Sequence, residues 1–104
     1  NGCLWVQPGG HRSPLRERYV FEQGHLQMQA LDSTAWPTTA EATALPVAAG
    51  TLVCFHGLLP HYSAPNRSAR RRLAYTLHVT DGRAAYSPLN WLQAKPRGPV
   101  RGFA

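Results

Sequence analysis

Apolar residues along this chain come in short extended runs cut by glycine and proline, with no long stretch of helical period. The opening run from Gly2 to Gln7 carries Cys3-Leu4-Trp5-Val6 and closes on Pro8-Gly9-Gly10, a strand running into a turn. Ser13-Pro14 offers a cap and a first helical position, which predicts a single helical turn over Leu15 to Arg18. Tyr19-Val20-Phe21 predicts a brief strand. From Gln23 to Thr43 the chain becomes polar, small and rich in Ala and Thr, and a long surface excursion is expected there.

The second half changes character. Pro46-Val47 leads through the turn Ala48-Ala49-Gly50 into Thr51-Leu52-Val53-Cys54-Phe55-His56, whose β-branched and aromatic content predicts a buried strand ended by Gly57. A second extended piece, Leu58 to Ser63, is followed by a loop with turn chemistry over Ala64 to Ser68, and then by a strand from Arg70 to Thr80 that stops at Asp81-Gly82. The residues after Gln93 are basic and rich in Pro and Gly, so residues 94–104 are expected to form a loose tail beside a domain of residues 1–93. The fold class this predicts is all-β or mostly β, of sandwich or barrel type. A sheet of three or four strands leaves raw edges and one bare face, so it is expected to be part of a larger fold or to be closed by a partner.

Length narrows the picture further. With 104 residues the chain holds one small domain. It opens on Asn1 and goes straight into an apolar run, with no basic leader or cleavage site, as if entered mid-fold. No apolar run approaches the roughly 18 to 20 residues of a membrane helix, so no membrane span is expected. A cytoplasmic location is the default left when no address is readable. Cys3 and Cys54 form neither a CxxC pair nor a disulfide framework, which fits a reducing compartment.

The net charge of +6, from 11 Lys and Arg against 5 Asp and Glu, invites an anionic partner. The basic residues gather in three separate places, Arg12 to Arg18, Arg67 to Arg72 and Lys95 to Arg101. A nucleic-acid module would interleave such residues with aromatics on one sheet face, whereas Trp5, Tyr19, Trp36, Phe55 and Tyr75 are scattered. Nucleic acid is the weaker expectation. Asn66-Arg67-Ser68 matches the glycosylation sequon and reads more simply as a polar turn.

Of the five histidines, His11 and His25 read as surface residues, and His61 differs because of its neighbours. Side chains alternate in an extended segment, so His61 and Ser63 share a face. If the following loop closes a hairpin with Ser63 opposite Arg72, His61 falls opposite Ala74, and one face carries an imidazole, a hydroxyl and a guanidinium. A neutral imidazole is a good ligand for divalent iron, and a guanidinium grips a carboxylate with two charge-assisted hydrogen bonds. A slip of one residue substitutes Arg71 for Arg72. On spacing alone, a plain loop histidine beside a solvated run of arginines is the better reading. His56, Tyr75, His78 and Trp91 read as packing.

The run Phe55-His56-Gly57-Leu58-Leu59-Pro60-His61-Tyr62-Ser63, with Asn66 and then Arg72-Leu73-Ala74-Tyr75-Thr76-Leu77-His78, resembles the second metal-ligand region of the phytanoyl-CoA dioxygenase family. The opening Asn1-Gly2-Cys3-Leu4 through Pro8-Gly9-Gly10-His11 is similar to that family's N-G-C-L-x-x-x-P-G-S/T-H segment, with Gly10 where Ser or Thr is usual. The closing Tyr86-Ser87-Pro88-Leu89-Asn90-Trp91-Leu92-Gln93 resembles one subgroup of it, while Gln23 to Thr43 matches nothing in it.

The resemblance implies a double-stranded β-helix, or jelly roll, holding Fe(II) by two histidines and a carboxylate, with 2-oxoglutarate as cosubstrate, dioxygen as oxidant and a small-molecule substrate. His61 matches the distal iron ligand; Ser63 and Arg72 match the residues that bind the far carboxylate of 2-oxoglutarate. The other two ligands belong to an H-x-D motif, which is absent here, since the residues two beyond each histidine are Ser13, Gln27, Leu58, Ser63 and Thr80. In the family that motif precedes the N-G-C-L segment, so the chain is expected to be a C-terminal part, inactive by itself. A jelly-roll scaffold without turnover is the other reading, and neither substrate identity nor oligomeric state is encoded.

Overall fold

The computed structural model describes residues 1–92, in two compact units. The expected tail, residues 94–104, lies outside the described residues. One unit comprises Asn1–Leu15 and Ser33–Tyr75; the other comprises Arg16–Asp32 and the chain from Thr76 onward. All regular elements among the described residues are short strands and two 3₁₀ turns, so the mostly β expectation is met. No helix among them is long and apolar enough to cross a membrane.

The first unit is built on β1, Leu4–Val6, whose aromatic and β-branched residues suit a pleated surface. Its two antiparallel neighbours are β4, Thr43–Leu45, and β5, His61–Ser63, in the order β4-β1-β5. Leu4 lies between Leu45 and Ser63, and Val6 between Thr43 and His61. Val6 is the buried centre of this sheet, at 8% exposure. Trp5 and Tyr62 oppose each other on the other face and stack at 6.0 Å between centroids with 13° between planes.

After Val6 the Gln7 amide donates to the Pro60 carbonyl at 3.0 Å, and the chain turns through a 3₁₀ turn at Gly10–Arg12. Gly10 is buried, and a Cβ there would sit 2.8 Å from Pro60 Cδ, which accounts for glycine at a position where the related motif has Ser or Thr. A second 3₁₀ turn, Thr39–Glu41, is closed by a capping box. Glu41 Oε2 accepts from the Thr38 amide at 2.7 Å and the Thr38 hydroxyl at 2.9 Å. These bonds, the amide first, hold the Glu41 carboxyl below its usual pKa.

The second unit is a hairpin of β2, Glu17–Glu22, and β3, His25–Ala30. Gln23 and Gly24 both have positive φ, 52° and 82°, the two-residue turn whose twist matches that of the strands. Val20, 3% exposed, bridges to Asn90, and the Phe21 amide donates to the Leu89 carbonyl at 2.9 Å. Tyr19 and Trp91 meet with tilted rings 6.4 Å apart. The expected strand at Tyr19 to Phe21 is thus present and longer than its apolar core.

Four expectations are corrected. The polar excursion contains the strand β3, because Leu26, Met28 and Ala30 alternate with His25, Gln27 and Gln29 once a turn folds them onto β2, and β4 begins at its last residue, Thr43. The chain turns helically at Gly10–Arg12 and runs without a helix from Leu15 to Arg18. Thr51 to His56 forms no strand, and Leu52 is 84% exposed; the segment lies in no ladder of the β4-β1-β5 sheet. Arg70 to Thr80 likewise has no strand partner, leaving Leu73 and Tyr75 91% and 89% exposed. A sequence of strand period stays unpaired when no ladder lies beside it.

Candidate functional site

Strand β5 carries His61 and Ser63 on one face, shared with Val6 and Leu4 across the ladder. The His61 ring leans on Phe55, with centroids 4.9 Å apart and planes at 57°. His61 Nδ1 lies 2.8 Å from the Leu59 carbonyl oxygen. A carbonyl only accepts, so Nδ1 carries the proton, and in the neutral ring Nε2 keeps its lone pair. Such a contact from the other ring nitrogen to a backbone carbonyl is common among metal-ligating histidines, where it sets the tautomer and the ring orientation.

His56, five residues earlier, has the opposite state. The Leu58 amide donates to His56 Nδ1 at 3.1 Å, so the neutral ring holds its proton on Nε2 and has no nitrogen ready for a metal. His11 sits beside it, with ring centroids 5.5 Å apart. Among the described residues no group of three or more His, Cys, Asp or Glu side chains is placed to hold a metal ion. The neutral imidazole of His61, with Nε2 bare, is a donor of the kind divalent iron takes.

The loop after β5 is organised by Asn66. Its Nδ2 donates to the Arg70 carbonyl at 2.7 Å, while its Oδ1 accepts from the Ser68 amide at 3.0 Å and the Ser68 hydroxyl at 2.7 Å. Gly2, with φ of 73°, lies against this loop; a Cβ on it would be 2.5 Å from the Ala64 carbonyl oxygen. The hairpin expected between β5 and the arginine run is not formed: β5 pairs with β1 along one edge, and residues 70–80 form no ladder along its other edge. Ser63 and Arg72 are exposed, and no strand ladder joins them.

A cavity of about 180 Å³ opens at the end of the β1–β5 pair, lined by Trp5, Trp36, Pro37, Pro60, His61 and Tyr62 among others, none of them Asp, Glu, Lys or Arg. The lining draws on both faces of the β1–β5 pair, Trp5 and Tyr62 from one and Val6 and His61 from the other. Sequence reasoning missed the contribution of Trp36 to Thr39. The Thr38-x-x-Glu41 spacing was the signal for a turn there.

Comparison with known proteins gives the lineage. The family model described as Phytanoyl-CoA dioxygenase (PhyH) matches residues 1–74. The chain belongs to the phytanoyl-CoA dioxygenase family. It is 36% identical over 103 residues to phytanoyl-CoA dioxygenase domain-containing protein 1 of Mus musculus, covering 95% of this chain and 35% of that protein. That protein represents the subgroup the closing segment resembled. Phytanoyl-CoA dioxygenase 1 of Oryza sativa subsp. japonica is 38% identical over 96 residues, covering 91% and 34%. Phytanoyl-CoA dioxygenase of Arabidopsis thaliana is 32% identical over 101 residues, covering 89% and 32%. The chain spans about a third of the length of the curated relatives it matches. No solved structure matches it.

Proposed function

We propose that this chain is the part of an Fe(II)- and 2-oxoglutarate-dependent dioxygenase that supplies one iron ligand and the grip on the cosubstrate. In this reading residues 1–93 belong to a jelly roll whose remaining strands pair with Thr51 to His56 and Arg70 to Thr80. The exposed apolar side chains of those two segments support it. His61 offers Nε2 to the iron, and the Leu59 carbonyl holds the ring in the coordinating tautomer. Ser63, on the same face, and Arg72 receive the far carboxylate of 2-oxoglutarate, the serine with one hydroxyl and the arginine with paired N–H donors.

When bound, iron and 2-oxoglutarate supply the oxidising chemistry, in which dioxygen hydroxylates a C–H bond of a small or acyl-type substrate and succinate and carbon dioxide are released. The chain's own residues bind, orient and neutralise charge. The other two ligands come from an H-x-D segment outside this sequence, so the 104 residues alone do not turn over.

The observation that carries the reading is the contact of His61 Nδ1 with the Leu59 carbonyl, which leaves Nε2 for a metal at the position the family motif assigns to it, while His56 Nδ1 meets an amide instead. Succinate formation from 2-oxoglutarate by the full-length protein, with Fe(II) and dioxygen, tests it. Succinate formation is expected in the wild type and its loss in His61→Ala; equal formation by both would refute the reading.

A further inference from the structure

Between Ser63 and Arg72 no ladder holds the chain, yet the intervening loop is closed by side-chain hydrogen bonds. Asn66 reaches in both directions: its Nδ2 donates to the Arg70 carbonyl at 2.7 Å, and its Oδ1 accepts from the Ser68 amide at 3.0 Å. The Ser68 hydroxyl has one proton and two acceptors in range, Asn66 Oδ1 at 2.7 Å and the Arg70 carbonyl at 3.2 Å, so the shorter contact takes it. Its lone pair then faces the Arg70 amide at 3.4 Å.

The clasp is referenced to the sheet. Gly2, two residues before β1, lets the backbone at Ala64 and Asn66 approach to distances a side chain would prevent, 2.5 Å and 3.3 Å from an added Cβ. Leu4 in turn pairs with Ser63. Arg70, where the clasp ends, opens the run Arg70-Arg71-Arg72, whose like charges repel one another.

We propose that Asn66, acting with Ser68, is a positioning residue that sets where Arg72 leaves the loop relative to Ser63, and thereby sets the affinity for a dicarboxylate. This rests on the cosubstrate reading of Arg72 given above. It also gives the sequon-like Asn66-Arg67-Ser68 a structural purpose, since its Asn and Ser side chains are engaged with each other.

The test uses the full-length protein loaded with Mn(II) under anaerobic conditions, with 2-oxoglutarate and Mn(II) affinities measured by calorimetry and no turnover required. Asn66→Ala is expected to weaken 2-oxoglutarate binding roughly threefold to tenfold, the range for losing ordinary hydrogen bonds, and to leave Mn(II) affinity unchanged. Ser68→Ala is expected to do the same to a smaller extent, and Ser68→Thr, which keeps the hydroxyl, to restore binding. If Asn66→Ala fails to fold, the Ser68 pair decides. Arg72→Ala separates the two ideas: weak binding there with unchanged binding in Asn66→Ala and Ser68→Ala overturns the clasp alone. Unchanged binding in Arg72→Ala overturns the cosubstrate reading and the clasp with it.

Discussion

His61 donates its Nδ1 proton to the carbonyl of Leu59, two residues before it, across 2.8 Å. The contact costs no distant partner, because the donor and acceptor belong to the same short turn into β5. It leaves Nε2 as the ring's free lone pair, whereas the Leu58 amide imposes the reverse on His56. The two rings should therefore differ in nitrogen NMR at a pH where both are neutral. His61 is expected to show a protonated Nδ1 and His56 a protonated Nε2, and the same tautomer in both would disprove the assignment.

Replacing Arg72 by Ala should weaken 2-oxoglutarate binding to the full-length protein by about 1.5 to 3 kcal/mol, roughly tenfold to a hundredfold, the range for charge-assisted hydrogen bonds. Arg70→Ala and Arg71→Ala should change it less. The larger loss appearing at Arg71 would mean the register is displaced by one residue.

The site was only partly legible in the sequence. The opening strand, the turn at Gly9-Gly10 and the alternation of His61 with Ser63 could be read because each depends on local chemistry. The partner of β5 could not. A hairpin to the nearest downstream run was the economical expectation, and the ladder β5 makes is with β1, more than fifty residues upstream. Strand pairing is a non-local choice, settled by tertiary context rather than by propensity. For the same reason Thr51 to His56 kept the composition of a strand without a ladder. The β3 strand was missed for the opposite cause, since Gln at alternate positions concealed a period that Leu26, Met28 and Ala30 were keeping.

Gly2→Ala should destabilise the fold by more than about 1 kcal/mol, because it places a Cβ both at φ of 73° and 2.5 Å from the Ala64 carbonyl oxygen. Chemical unfolding of the full-length protein measures this. An unchanged midpoint would show that the loop yields without cost.

The Thr38–Glu41 capping box should respond to acid. The folded carboxyl has a lowered pKa, so its contribution is complete above the ordinary carboxylate value and disappears as pH falls through the folded one. Hydrogen exchange at the Thr38 amide is expected to accelerate, relative to neighbouring amides, as the pH drops into that window. In Glu41→Gln that added pH dependence should vanish.

Anaerobic titration of the full-length protein with Mn(II), wild type against His61→Ala, puts the metal assignment to direct trial. One-to-one binding in the wild type, weakened by roughly a hundredfold or more in the variant while His56→Ala keeps wild-type affinity, is the expected result. Metal affinity that survives loss of the His61 imidazole would contradict it.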